Sequence, residues 1–115
     1  MKDKITVLGQ EYKVLQHTKD EDPKLKECHG YHEPNSKKIV VDSGLEEDAA
    51  KNSLGAENVD VYVRHVYRHE IMHTFFSESG ISYRYEDDEE DFLVDWFARQ
   101  YPKIKKIFAE LGVED

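Results

Sequence analysis

The residues best suited to chemistry are His69, Glu70 and His73, arranged as His-Glu-Ile-Met-His. On a helix, two His four residues apart share one face about a turn apart, so both imidazoles can reach a single Zn²⁺. Glu70 falls beside them, where a carboxylate can take a proton from a metal-activated water and later deliver it to a leaving amine. A catalytic zinc site also needs a third protein ligand and an open position. Asp91 and Asp95 lie four apart, and Asp91 follows His73 by 18 residues, room for a turn and a return helix. One of the two can ligate while the other hydrogen-bonds a ligand His and fixes its tautomer. Asp91 is the expected ligand and Asp95 the expected carboxylate behind an imidazole, with Glu90 and Glu78 as substitutes for the ligand.

These residues need a helix to carry the two His and a second one to bring the acids back. From about Asn58, a plausible N-cap, to Ser77 the pattern is helical, with Val59, Val63, Tyr67, Ile71 and Phe75 on one stripe. Apolar residues continue around much of the circumference, which predicts a helix through the middle of the domain. Gly80 is placed to end it in a left-handed conformation. The acidic run Glu86 to Asp91 opens a further helix to about Gln100, where negative charge complements the helix dipole. Pro102 then begins a final helix from Lys103 to Leu111, closed by Gly112.

Upstream, Ile5 and Val7 alternate with polar residues, as do Tyr12 and Val14, on either side of Leu8-Gly9-Gln10; this predicts a hairpin. Residues 17 to 27 contain Pro23 and read as a surface connection. A second hairpin is predicted from Gly30-Tyr31-His32 and Lys38 to Asp42 around Glu33-Pro34-Asn35-Ser36. A weak amphipathic stretch runs from Leu45 to about Leu54. Hairpins followed by helices imply a single α+β domain over residues 1–115, with a small, mostly antiparallel sheet against the central helix.

Other candidates carry less. His65 lies about 12 Å from His73 along a helix axis at 1.5 Å per residue, too far for one metal to join all three His. Cys28, His29 and His32 have poor chelate spacing. Tyr83 and Tyr85 could hydrogen-bond an oxyanion but read as packing residues. Arg64 and Arg68 are expected to pair with the acidic helix.

Composition sets the context. The chain has 115 residues, 38% of them hydrophobic and 36% charged, enough for one core. Asp and Glu outnumber Lys and Arg by 25 to 16, a net charge of −9 that opposes binding to nucleic acid or anionic membranes. A lone cysteine excludes an intrachain disulfide. No apolar stretch approaches a membrane span or an export signal, so a cytoplasmic protein is expected. The oligomeric state is not encoded in any pattern recognised at this level.

His69 to Ile81 (HEIMHTFFSESGI) followed by Glu90 to Ile104 (EDFLVDWFARQYPKI) resembles the small HExxH proteins of phages and prophages, a zincin-like group. Gly30 to Asp42 is a plausible match to the edge hairpin before their helix. The group is similar in turn to gluzincin peptidases, whose HExxH is followed by ExxxD, the Glu being the third ligand and the Asp a partner of the first His. That pattern maps onto Asp91 and Asp95, with Asp in place of Glu at 91. A more distant likeness, at Asp95-Trp96-Phe97-Ala98, is to the ImmA/IrrE-type peptidases, which cleave repressors. The resemblance implies a minimal zincin-like fold, Zn²⁺ as cofactor and hydrolysis of a peptide or protein substrate. The alternative is a zincin fold that binds metal without turnover and serves as an interaction protein. For an extended peptide, the sheet near Ile39 to Val41 is the expected place to bind.

Overall fold

A computed structural model of the chain describes residues 2–45 and 59–115. The first hairpin pairs β1 (Lys4–Val7) with β2 (Gln10–His17), antiparallel, through a tight turn in which Leu8 and Gly9 take φ of 48° and 85°. Two successive left-handed residues match the twist of the flanking strands, and glycine bears the second at no steric cost. The second hairpin pairs β3 (Gly30–Glu33) with β4 (Lys38–Asp42), also antiparallel. Between the hairpins, residues 23–26 form a short 3₁₀ turn that buries Leu25.

The strand order is β1-β2-β4-β3, and β2 runs parallel to β4. The sheet is therefore mixed: two of its three pairings are antiparallel, as expected, and the one between the hairpins is parallel. Each hairpin is legible locally, but how two hairpins join is decided by the path of residues 18–29. These carry the chain past the place of β4 to the outer edge, so β4 returns beside β2 in the same direction. One functional expectation changes with it. Ile39 to Val41 lie on an interior strand with both sides paired, and among the described strands the edge on that side of the sheet is β3.

α1 (Val59–Ser79) lies against the sheet. Val7, Tyr12, Ile39, Val41 and Leu45 form the core with Val66, and Val63, Tyr67 and Ile71 pack against it half-buried. Pleat alternation puts Ile39 and Val41 on the face toward α1 and Val40, equally buried, on the other. The circumference of α1 is less uniformly buried than its sequence suggests: Val61 and Phe75 are exposed, while Glu70, His73 and Thr74 are buried. Gly80, at φ 81°, ends the helix as expected.

After a 3₁₀ turn at Ile81–Arg84, α2 spans Asp87–Leu111 without a break. Two helices divided at Pro102 were expected; Pro102 is instead interior to one. Proline removes the N–H that would serve the carbonyl four residues back, which is Ala98. Arg68 on α1 replaces it, donating from Nε to the Ala98 oxygen at 2.9 Å. The expected pairing of an α1 arginine with the acidic helix is thus to its backbone. At the start of α2, Glu89 Oε1 accepts from the Glu86 N–H at 2.9 Å, a capping box from the acidic run. The stretch from Glu46 to Leu54 and the expected N-cap at Asn58 fall outside the described residues. No helix among those described is long and apolar enough to cross a membrane.

Candidate metal centre

α1 and α2 pack side by side, and their shared face carries the polar residues that the core excludes. α1 presents His65, His69 and His73 on successive turns, and α2 presents Glu90, Asp91 and Asp95. His69 Nε2 lies 3.0 Å from Asp91 Oδ1, His73 Nε2 lies 3.2 Å from the same oxygen, and the two Nε2 atoms are 3.2 Å apart. A tetrahedral zinc with bonds near 2.0 Å separates its ligand atoms by about 3.3 Å. The three donors therefore have the spacing of one face of a zinc tetrahedron.

The far side of each ring is occupied by a carboxylate. Asp95 Oδ1 is 3.1 Å from His69 Nδ1, and Glu90 Oε2 is 2.6 Å from His73 Nδ1. In a neutral ring, an Nδ1–H donated to a carboxylate leaves Nε2 as a lone pair. Two such lone pairs and a carboxylate oxygen then converge with no hydrogen between them, a donor set that fits a cation. His73 and Glu90 are buried, whereas the Asp91 side chain is 63% exposed, which leaves the cluster open on one side. Aspartate's shorter side chain does reach both imidazoles.

Asp95 supports more than His69. His65 Nε2 lies 2.8 Å from Asp95 Oδ1, and Arg99 Nε donates to Oδ2 at 2.8 Å. Burial pushes the Asp95 carboxyl up, but hydrogen bonds from Arg99 and His69 and the charge of Arg99 outweigh it and hold the pKa at about 2. Burial pushes His65 down, against the pull of Asp95. His65 is therefore neither a ligand of the His69 and His73 cluster nor a mere packing residue, because it holds the carboxylate that orients His69.

Glu70 points away from α2 toward β3. Its Oε1 is 3.4 Å from His32 Nδ1, and the His32 ring stacks on His73 with centroids 4.4 Å apart and planes 8° from parallel. This approach depends on Gly30, where a Cβ would stand 3.2 Å from Val66 Cγ1 and 3.5 Å from Glu70 Cγ. Between β3 and α1 opens a cleft of about 450 Å³ lined by His32, His69, Glu70, His73 and Asp91, with Tyr62 and Arg99 farther along. Cys28 also faces it, but burial and the nearby Glu70 raise its thiol pKa, which disfavours a thiolate nucleophile.

Of the residues singled out from sequence, His69, His73 and Asp91 are brought together, Asp95 stands behind His69, and Glu70 faces the cleft. Glu90 is close but lies behind His73. Glu78 is elsewhere, bonded to the Tyr12 hydroxyl at 2.7 Å and to Lys37. Tyr83 is 95% exposed, so it packs on nothing, and Tyr85 meets Phe76 away from the cleft. His32 was missed because its partners are supplied by β3 docking on α1, which no local spacing records. The roles of Glu90 and His65 had a usable signal in hindsight: each Nδ1 or Nε2 facing the second helix requires a carboxylate there. Among the described residues, three groups of side chains could hold a metal ion: His69 with His73 and Asp91, His65 with His69 and Asp95, and His32 with Glu70 and His73. Comparison with protein-family models, curated proteins and solved structures gives no match to this chain.

Proposed function

We propose that the protein is a zinc-dependent metallopeptidase in which His69, His73 and Asp91 hold the metal and Glu70 is the general base and acid. The observation that carries this reading is the convergence of three donor atoms 3.0 to 3.2 Å apart, each His backed by its own carboxylate. Zn²⁺ bound there would supply Lewis acidity, lowering the pKa of water toward about 7 and polarising a carbonyl. The chain's own residues do the rest. Glu70 accepts a proton at its carboxylate and passes it to the departing amine, and His32 at its Oε1 restrains its rotamer. Asp95 and Glu90 keep the two imidazoles in the ligating tautomer. The outer edge of β3 offers backbone groups to an extended peptide lying along the cleft. The His₂-carboxylate set with an open position suits zinc, and it equally suits Fe²⁺, so the metal content of the purified protein decides between them.

Metal content of protein purified without added zinc tests the site: about one Zn²⁺ per chain is expected, lost in His73→Ala and Asp91→Ala. A zinc-dependent cleavage activity that Glu70→Gln abolishes while metal stays bound tests the reaction. Metal binding with the same cleavage rate in Glu70→Gln would rule out this mechanism.

A second reading, a metal-binding protein without turnover, has one observation in its favour. His32, Glu70 and His73 each bring a donor atom within 4.8 Å of the others. If the His32 ring took the fourth position, the site would be closed in the manner of structural zinc. His32→Ala separates the two readings: unchanged zinc affinity with impaired cleavage favours the enzyme, and a large loss of affinity favours the closed site.

A further inference from the structure

The two ends of the cleft differ in charge. Glu70 and Asp91 line it beside the metal cluster, whereas its far end holds Arg99, the one Lys or Arg among the described residues that line it. Asp91, Asp95 and Arg99 recur every four residues, so they share a face of α2. Arg99 Nε donates to Asp95 Oδ2 at 2.8 Å, which draws the guanidinium back along the helix toward the cluster. Arg99 makes no other hydrogen bond among the described residues, so its two Nη nitrogens, a pair that can grip a carboxylate, are uncommitted. Its side chain is 64% exposed and open to an incoming molecule. Beside it on α1 stands Tyr62, half-buried, with its hydroxyl bonded to His29 Nδ1. The rings of Tyr62 and His65 are 6.2 Å apart, and His65 shares Asp95 with Arg99. Burial pushes the Tyr62 pKa up, so the hydroxyl stays protonated. With His29 as donor to its oxygen, the Tyr62 proton is left for a ligand.

We infer that this far end is a subsite for a carboxylate of the substrate, gripped by the Arg99 guanidinium and the Tyr62 hydroxyl; the inference rests on the peptidase reading above. The fold sets the direction of the peptide. β3 follows His29, which meets Tyr62, and carries His32, which meets Glu70, so the strand leads from the Arg99 end of the cleft to the metal end. A peptide pairing antiparallel to β3 therefore has its C-terminal side toward Arg99. Arg99 lies eight residues after Asp91, about 12 Å along the helix axis. An extended peptide advances about 3.3 Å per residue. Because Asp95 draws the guanidinium back, a carboxylate held there leaves roughly two or three residues between itself and the bond over the metal cluster. That carboxylate is either the chain terminus, in which case a di- or tripeptide is released, or an acidic side chain on the same side of the bond. The acids at the other end of the cleft repel such a group, so Arg99 selects the substrates that carry one and sets the bond that is cut.

Matched peptides on the zinc-loaded full chain test this. One pair differs in a terminal carboxylate against its amide, the other in an interior glutamate against glutamine. One pair should show a preference of about thirtyfold in kcat/KM for the carboxylate, carried by KM, and that pair identifies the source. Arg99→Met should abolish the preference, Arg99→Lys should keep part of it, and Tyr62→Phe should reduce it about fivefold. Were Arg99 only a support for Asp95, Arg99→Met would instead weaken zinc binding and slow both members of each pair alike, which would overturn the subsite. Equal rates within both pairs on the wild type would overturn it too and leave the peptidase reading intact. If no peptide is cleaved, that reading fails and binding decides the subsite. Calorimetry with the same pairs should then show tighter binding of the carboxylate member to the wild type and no difference in Arg99→Met. Equal binding within both pairs, or a preference that survives Arg99→Met, would overturn the subsite.

Discussion

The two sides of α1 are held by different physics. Toward the sheet, Val66 and its half-buried neighbours meet Ile39, Val41 and Tyr12, and area removed from water supplies the stability. Toward α2, the same helix meets a row of His and carboxylates: His65 with Asp95, His69 with Asp95 and Asp91, and His73 with Asp91 and Glu90. Three acids stand within about two turns of α2, and among the described residues the only full positive charge bonded to them is Arg99. The sheet side can fold without assistance, whereas the α2 side gathers negative charge that a bound cation would neutralise. Metal should therefore stabilise one side of α1 and leave the other unchanged.

The largest expected effect follows. Zinc at about a thousand times its dissociation constant should stabilise the fold by roughly 4 kcal/mol, read as a rise in Tm that a chelator reverses. Hydrogen exchange should locate the gain, with amides of α2 slowed far more than those of β2 and β4. The contrast with the sheet side is sharpened by Ile39→Ala, which should cost about 3 kcal/mol whether or not zinc is present, because the two changes share no contacts. Equal protection of sheet and α2 on adding zinc would break the division.

A smaller effect tests how α2 is tied to α1 away from the acids. Arg68→Met keeps much of the side chain's apolar stem but leaves the Ala98 carbonyl with no donor, since Pro102 cannot supply one. A loss of about 1 to 2 kcal/mol is expected. The helix should also become less protected from Ala98 onward while the first turns keep their exchange rates. Full recovery on pairing Arg68→Met with Pro102→Ala would identify the missing backbone donor as the reason; no recovery would show that Arg68 acts through packing.

That pair also marks where sequence reading stops. Pro102 after Gln100 looks like a helix start because the local rule is sound: proline suits a first turn and breaks an interior. What overrides it is a guanidinium from residue 68, a contact between elements that no window along the chain contains. The joining of the hairpins is of the same kind, since the strands are legible from alternation and the parallel β2–β4 contact is not. The HExxH spacing and the acids four apart were legible because one helix face fixes each set internally. His32 was not, since it reaches Glu70 only when β3 docks, and Glu90 was legible only as a substitute ligand, one of six consecutive acids that differ only in helix phase.

The smallest expected effect concerns Glu78, which sits at the end of α1 against β2 and the turn before β4. Glu78 accepts from the Tyr12 hydroxyl and from Lys37, and the hydrogen bond from Lys37, followed by that from Tyr12, lowers its pKa below the usual 4.5. A carboxylate with a depressed folded-state pKa binds fewer protons folded than unfolded, so stability falls as pH drops. Its contribution is complete above the ordinary value and is lost as pH falls through the lowered one. Glu78→Gln keeps the shape and removes the titration. The stability difference between wild type and variant, measured by urea unfolding in the absence of zinc, should be constant from neutrality to about pH 5 and shrink steadily below the ordinary glutamate pKa. In the same titration Lys37→Met should reproduce most of that loss of pH dependence, since Lys37 is the larger cause of the shift. A difference that stays constant down to the acid limit would mean that Glu78 is no better held folded than unfolded, and that its bonds to Tyr12 and Lys37 do not help to hold α1 on the sheet.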